Sequence, residues 1–482
     1  MSSPPPPPPP PPPCPAAACD DGWLSLSVST VSGESNQKRL KRGGGGGGGG
    51  VGGGAVEDDG CPLHDEVLLL VFAECSLETD DLVRCAATCR RWRRLVAGDA
   101  EYICRRKPPS RRYVGALAVG FVQQRRQENS SSSSGALPPP RFIPLPSYSS
   151  RFAGGGELDK VFDSGLLSNS RLIASRKGLL VLELRRSSRA AAVRLVVCNP
   201  MTGDMATLPI LAGKDRPGHY ACALITFDDH EGAPDRLGFV HDPAAFRLLL
   251  VYKRRNFTAC RSYWSDTKAW DAEGKLSGAK IGGRRLGEMT GAVAVRGSVF
   301  WLLKNLLFVV RLGALKATTE TFPSKWCSKL CFCYGSPVQN RQLAVTPDGR
   351  LCAVQVDRHV TSNNTVRINV ISRHDGYGPP TWECDNARDV ALNRVLPMAN
   401  VRRVCLRGVC ERSGVVFLAI GTDLYNQQPD LALYALDMDK KEARKVAAPP
   451  GHCRRLSSSF FGYEMDRVAY LASLSGGESI AS

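Results

Sequence analysis

The fold class that the sequence predicts is α+β by segment: a small three-helix module, then a long, mainly antiparallel all-β domain that closes as a β-propeller. Three observations carry it. Between Cys61 and Arg106 apolar residues recur at helical spacing between capping residues. From residue 113 onward the chain reads as short apolar strands bounded by turn residues, with no amphipathic helix before Asp466 to Leu474. Within that stretch a unit of glycine, apolar strand, second strand, polar turn and third strand recurs.

In the helical stretch, Leu63, Val67, Leu68, Val71 and Phe72 mark one face of a short helix that starts after Pro62. Thr79 caps a second helix, Asp80 and Asp81 suit its positive end, and Leu82, Cys85, Ala86, Cys89, Trp92, Leu95 and Val96 form its stripe. Gly98 ends it, and Asp99 caps a third helix carrying Tyr102 and Ile103. So small a unit leaves much of its surface exposed and needs a partner, either the rest of the chain or another protein.

The β unit starts at Gly178, Gly297, Gly349 and Gly414, with spacings of 119, 52 and 65 residues. The long first gap has room for one more unit, and hairpins around Asp242-Pro243 and Thr258 to Trp270 fall inside it. Propeller blades run about 40 to 50 residues, so the β region supplies six to eight. Closing them in a ring removes long exposed edges, whereas a pair of β-sandwiches is the alternative. The domain boundaries are then 1–58, low-complexity and disordered; 59–107, helical module; 108–150, a linker with one strand; and 151–482, the β domain.

Charge narrows the function classes. The net charge of +17 sits wholly in residues 113–482, because residues 1–112 balance 14 basic against 14 acidic side chains. Within the module the signs segregate: nine acidic residues and no Lys or Arg from Glu57 to Asp81, then ten basic and two acidic from Arg84 to Arg112. That polarity suits a docking surface better than a DNA-binding helix, since the first helix repels phosphate. The basic β domain leaves two readings: an acidic protein target, or a basic propeller that binds nucleic acid. Arg254-Arg255, Arg284-Arg285, Arg402-Arg403 and Arg454-Arg455 are the candidate clusters.

No apolar run is long enough to span a bilayer, and the proline-rich start lacks a signal peptide's basic and apolar regions. The expected compartment is cytoplasmic, nuclear or both, with Lys38 to Arg42 either an import signal or a solvated charge cluster, and the 18 cysteines read as reduced thiols. Neither a metal nor a cofactor is expected: Cys327, Cys331 and Cys333 lack a second pair at finger spacing, and the glycine run follows no strand. The hydrolase and phosphate-loop motifs find no fitting context, so no catalytic residue is assigned.

The runs L-x-D-E-V-L-L-L-V-F at Leu63 to Phe72, D-D-L-V-R-C at Asp80 to Cys85 and C-R-R-W-R-R-L-V at Cys89 to Val96 resemble the F-box of plant proteins. Two positions depart from that pattern: Leu63-His64 and Leu77-Glu78 stand where the family has Leu-Pro. SRKGLLVLE, LVVCNPMTGDMATLP, GAVAVRGSVFWL and LYALDMDKKEARKV resemble the F-box-associated β domain, a Kelch-like propeller. The resemblance implies a non-catalytic substrate-recognition subunit of an SCF-type ubiquitin ligase, holding a Skp-type adaptor, and through it cullin, by its helices and a target by its propeller. The expected adaptor contacts are Leu63, Val67, Leu68, Phe72, Leu82, Cys89, Trp92 and Leu95, with Asp65 and Glu66 orienting the first helix.

Overall fold

The computed structural model describes Leu24–Ser25 and residues 61–75, 77, 79–105, 113, 117–125, 139–146, 167, 169–184, 192–226, 245–289, 291–303, 306–322, 340–356, 365–375, 380–391, 403–421, 431–446 and 458–475. Of the segment 1–58, only Leu24–Ser25 falls among them, as a strand pair on the outer edge of one sheet. The helical module comprises α1 (Asp65–Glu74), α2 (Thr79–Thr88), α3 (Arg90–Gly98) and α4 (Ala100–Arg105). Among the described residues two further helices lie outside it in sequence, α5 (Gly283–Glu288) and α6 (Arg467–Ser473).

Among the described residues the β domain forms a closed ring of six blades. Their innermost strands are Ser170–Arg176, Tyr220–Thr226, Val293–Val295, Arg341–Val345, Arg403–Val409 and Ser458–Glu464. Each lies beside the next, and the sixth lies beside the first. Apolar layers are shared at the blade interfaces: Val181 with Leu248, Leu249 with Trp301, Phe300 with Ala353, Val354 with Leu418, and Phe417 with Phe121. The second and third blades are also joined at their outer edges, where Ser277 pairs in parallel with Lys316.

The sixth blade is built from both ends of the domain. Ser458–Glu464 pairs with Ala118–Arg125, which pairs with Arg141–Pro144. Residues 108–150, expected as a linker with one strand, therefore contribute two strands to the ring. Polar, serine-rich sequence around Arg141–Pro144 concealed the second. The sixth blade is thus closed by partners more than 300 residues apart in the chain.

The repeating glycines have a common place. Gly178 and Gly297 have φ of 77° and 68°, and Lys177 and Arg296 before them both have φ of 46°. Two residues with positive φ make the tight turn whose twist matches antiparallel strands. Each such glycine follows the innermost strand of its blade, so the unit read from sequence held the outer three strands and omitted the first.

Side chains tie the blades together across the apolar layers. The Trp301 indole N–H donates to the Cys222 carbonyl at 3.3 Å, and Asn340 Nδ2 donates to the Val356 and Val404 carbonyls, each at 3.2 Å. Buried Gln124 donates to the Ser170 carbonyl at 2.6 Å and accepts from Leu172 N at 2.9 Å. Arg176 of the first blade reaches three others: its Nε donates to Glu411 at 2.9 Å, and its terminal nitrogens donate to the Leu224 and Ala294 carbonyls at 3.4 and 3.0 Å.

Glu464, at the end of the last innermost strand, accepts from the Arg412 and Ser413 backbone N–H groups at 2.9 and 2.6 Å. Burial pushes its carboxyl above the ordinary 4.5 despite those donors. The folded chain therefore keeps a proton that the unfolded chain has released, so this group's contribution to stability falls as pH rises from the ordinary glutamate range through the raised value. Denaturant titrations across that range should show the slope in the wild type and lose it in Glu464→Gln. An unchanged slope would assign the effect to another group.

The helical module sits on one face of the ring. Innermost strand Ser458–Glu464 runs directly into α6, which packs on α2, α3 and α4. Tyr113, just after the module, donates from its backbone to Asp439 at 2.8 Å, in the turn between the third and fourth strands of the fifth blade. The described loops that leave the second and fourth strands of the second blade, residues 254–257 and 279–289, lie on the opposite face.

Candidate docking site

Four helices form where three were expected, because the second breaks at Cys89. Cys89 has extended backbone, φ −154° and ψ 166°, and its Sγ accepts from Trp92 N at 3.4 Å, so it is the N-cap of α3. A thiol here does what a serine hydroxyl does at other caps. The apolar spacing runs on through the break because the cap is itself an apolar residue.

The module core holds Leu68, Phe72, Leu82, Leu95 and Val96, all at most 6% exposed, and it is completed by Leu471 of α6 at 0%. Phe72 meets Trp92 edge to face at 5.4 Å. Of the expected adaptor contacts, Leu68, Phe72, Leu82 and Leu95 are therefore core residues rather than surface ones. Cys89 and Trp92 are half-buried, and Glu66 is exposed. Residues 67 and 68 lie about 100° apart around a helix, so one points out and the other in. Periodicity cannot tell the two stripes apart on a helix that is apolar all round.

The outward stripe of α1 carries Val67, Leu70 and Val71, with Leu63 just ahead of the helix, each 38 to 41% exposed. The spacing of i, i+3 and i+4 puts the three helical residues on one face. Tyr102 on α4, at 41%, brings the module to five of the seven large apolar side chains that are exposed among the described residues. Such a concentration on one small unit marks a contact surface.

Arg91 fixes the start of α1. Its Nε donates to Asp65 Oδ1 at 2.7 Å, and its terminal nitrogens reach the carbonyls of Cys61, at 3.3 Å, and of Leu63. Asp65 thus orients the first helix through α3. The sequence reading did not single out Arg91, although basic residues clustered opposite an acidic helix start were its visible sign. Likewise Arg467 of α6 donates to the Leu77 carbonyl at 2.8 Å, tying the C-terminal helix to the turn between α1 and α2.

The site offers shape and charge. Burial, with Asp81 nearby, raises the Cys85 thiol and so opposes its use as a thiolate. The 12 described cysteines are unbridged, and burial pushes Cys198 up to about 12 and Cys260 up to about 11. No group of three or more His, Cys, Asp and Glu is placed to hold a metal among the described residues, and none of their helices is long and apolar enough to cross a membrane. Cys327, Cys331 and Cys333, Lys38 to Arg42, Arg402 and Arg454-Arg455 lie outside the described residues.

A helical module thus stands ahead of a propeller-like β domain. Residues 65–105 match the F-box-like family. No curated protein matches the chain. Among solved structures, similarity reaches a mitotic checkpoint complex (13% identity, 57% of this chain and 61% of that chain, TM-score 0.25). It also reaches a functionally unknown protein from Desulfotomaculum acetoxidans (9%, 71% and 99%, 0.27) and the Dos1 propeller (9%, 58% and 59%, 0.25). The chain spans about three fifths of the length of the first and third. The blade count rests on strand pairing within this chain, not on these likenesses.

Proposed function

We propose that this chain is the substrate-recognition subunit of an SCF-type cullin-RING ubiquitin ligase, in the cytoplasm, the nucleus or both. The outward stripe of α1 docks on a Skp-type adaptor and through it on cullin, while the propeller, of the Kelch-like kind found in F-box-associated domains, holds a target protein. The chain performs no bond chemistry. It raises the effective concentration of target near the ubiquitin-charged enzyme and fixes its orientation. One observation carries the reading: an F-box-like domain whose first helix leaves Val67, Leu70 and Val71 uncovered, with Leu63 exposed just ahead of it. A helix apolar all round belongs in a buried setting, which a docked partner completes.

The test is capture of a recombinant Skp-type adaptor by the full chain. Val67→Asp puts a charge into the apolar contact without touching the core, so affinity should fall at least about tenfold, or ~1.4 kcal/mol, with the melting curve unchanged. Leu68→Ala, by contrast, should destabilise the module by about 2 to 5 kcal/mol through a cavity. Adaptor capture indifferent to Val67→Asp would reject this docking face.

A further inference from the structure

We propose that the target-binding surface lies on the second blade, on the face of the ring turned away from the helical module, and that it takes an Asp/Glu-rich peptide segment. This rests on the reading of the propeller as a target receptor. Three loops meet there: residues 213–219 ahead of the innermost strand, residues 254–257 between the second and third strands, and residues 279–289 carrying α5. They pack against one another. A side chain built on Gly283 would lie 3.6 Å from Lys253 and 3.9 Å from His219, and one on Gly287 would lie 3.2 Å from the His219 ring.

Arg254 sets the first two loops in place. Its guanidinium donates to the Arg216 and Lys214 carbonyls at 3.0 and 2.9 Å and to Glu273, which also accepts from the Tyr252 hydroxyl at 2.6 Å. The hydrogen bond from Arg254 holds the Glu273 carboxyl below its ordinary value, so the clamp is charged at neutral pH. The local carboxylates are therefore engaged: Glu273 with Arg254, Asp215 with Arg261 at 2.6 Å, and Glu288 with Arg284 at 3.3 Å. Among the described residues, Lys214, Arg216, Lys253, Arg255, Lys280 and Arg285 pair with no carboxylate, and all but half-buried Lys253 are exposed.

Five unpaired cations on three packed loops, with Lys253 at the adjoining strand end, cost repulsion unless something anionic meets them, and complementary fields speed such an encounter. Because the cations come from separate loops, they match several carboxylates spread along a segment. Bases would need exposed aromatic platforms. Besides the exposed His219 ring packed beside Gly287, the ring at these loops is Phe257, which is only part-exposed and has the Lys275 ammonium over it at 5.9 Å.

The test uses the full chain and three labelled probes followed by fluorescence anisotropy: a Glu/Ser peptide, a Gln/Ser peptide of equal length, and single-stranded DNA matched in charge to the first. The Glu/Ser peptide should bind, the Gln/Ser peptide should not, and the combined Lys214→Glu, Arg255→Glu and Lys280→Glu variant should lose at least about tenfold in affinity. A variant with the same net charge but changed on the fourth and fifth blades, at Arg367→Glu, Lys441→Glu and Lys445→Glu, should bind like the wild type. Equal loss in both variants would mean diffuse charge and overturn the proposal, as would equal binding of the two peptides. DNA bound more tightly than the acidic peptide at physiological salt would overturn it in favour of nucleic acid. Should the triple variant melt early, Arg255→Glu and Lys280→Glu are read singly. Adaptor capture is measured on the same samples: its loss with peptide binding intact strikes the ligase reading, and the reverse strikes only this surface.

Discussion

Deleting residues 467–482 should unfold the helical module although its own sequence is untouched, and adaptor capture should go with it. α6 supplies Leu471, fully buried in the module core, with Val468 and Leu474 packed against it. Its Arg467 bond to the Leu77 carbonyl would also be lost. Leu471 alone is worth about 2 to 5 kcal/mol by the cost of comparable core truncations. So small a unit has little stability in reserve, and that loss exceeds it. Residues 59–107 by themselves should accordingly be unstable, and linking residues 466–475 to them should restore helicity. The measurements are limited proteolysis of the truncated chain across 61–105 and circular dichroism of the fragment with and without the linked helix. A truncated chain that still captures adaptor with wild-type affinity would show that α6 merely rests on the module.

The second large effect is expected at Arg176, 8% exposed, whose guanidinium joins the first blade to the second, third and fifth. Arg176→Ala strips Glu411 of its partner at 17% side-chain exposure and leaves two buried carbonyls without a donor. Breaking a buried pair from one side costs about 3 to 5 kcal/mol. Because the interactions run across the ring, the loss should lower the unfolding midpoint of the whole β domain rather than loosen one blade. Arg176→Lys keeps the charge but cannot reach three acceptors with the same planar fork, so it should recover only part of the loss. A midpoint unchanged in Arg176→Ala would mean that water replaces the guanidinium in the ring's centre.

Local pattern made much of the fold legible. Gly178, Gly297, Gly349 and Gly414 marked four blades because a tight turn needs positive φ wherever the chain folds back, and that demand is written in one residue. The helix at Asp466 to Leu474 was visible for the same reason: Asp466 caps it through a bond to Ala469 N at 3.1 Å, a local event. The break at Cys89 was not visible, because a thiol cap reads as one more apolar residue of the stripe.

The exposed apolar stripe beside α1 was half legible. Sequence placed Leu63 and Val67 in a contact set, yet it placed Leu68, Phe72, Leu82 and Leu95 beside them, and these fill the core. Composition says that α1 is apolar all round, but which stripe is covered depends on what packs against it.

The sequence alone determined the helix-then-sheet order, the capped helices, the strand hairpins and the location of the positive charge, since each follows from spacing within a few residues. Tertiary structure alone decided that the ring has six blades, that its last blade joins Ser458–Glu464 to Ala118–Arg125, and that α6 completes a module some 370 residues upstream. It also brought Lys214, Arg255 and Lys280 to one surface. These are pairings between segments far apart in the chain, fixed by which edges and apolar faces remain unsatisfied after local structure has formed, and no local spacing encodes them.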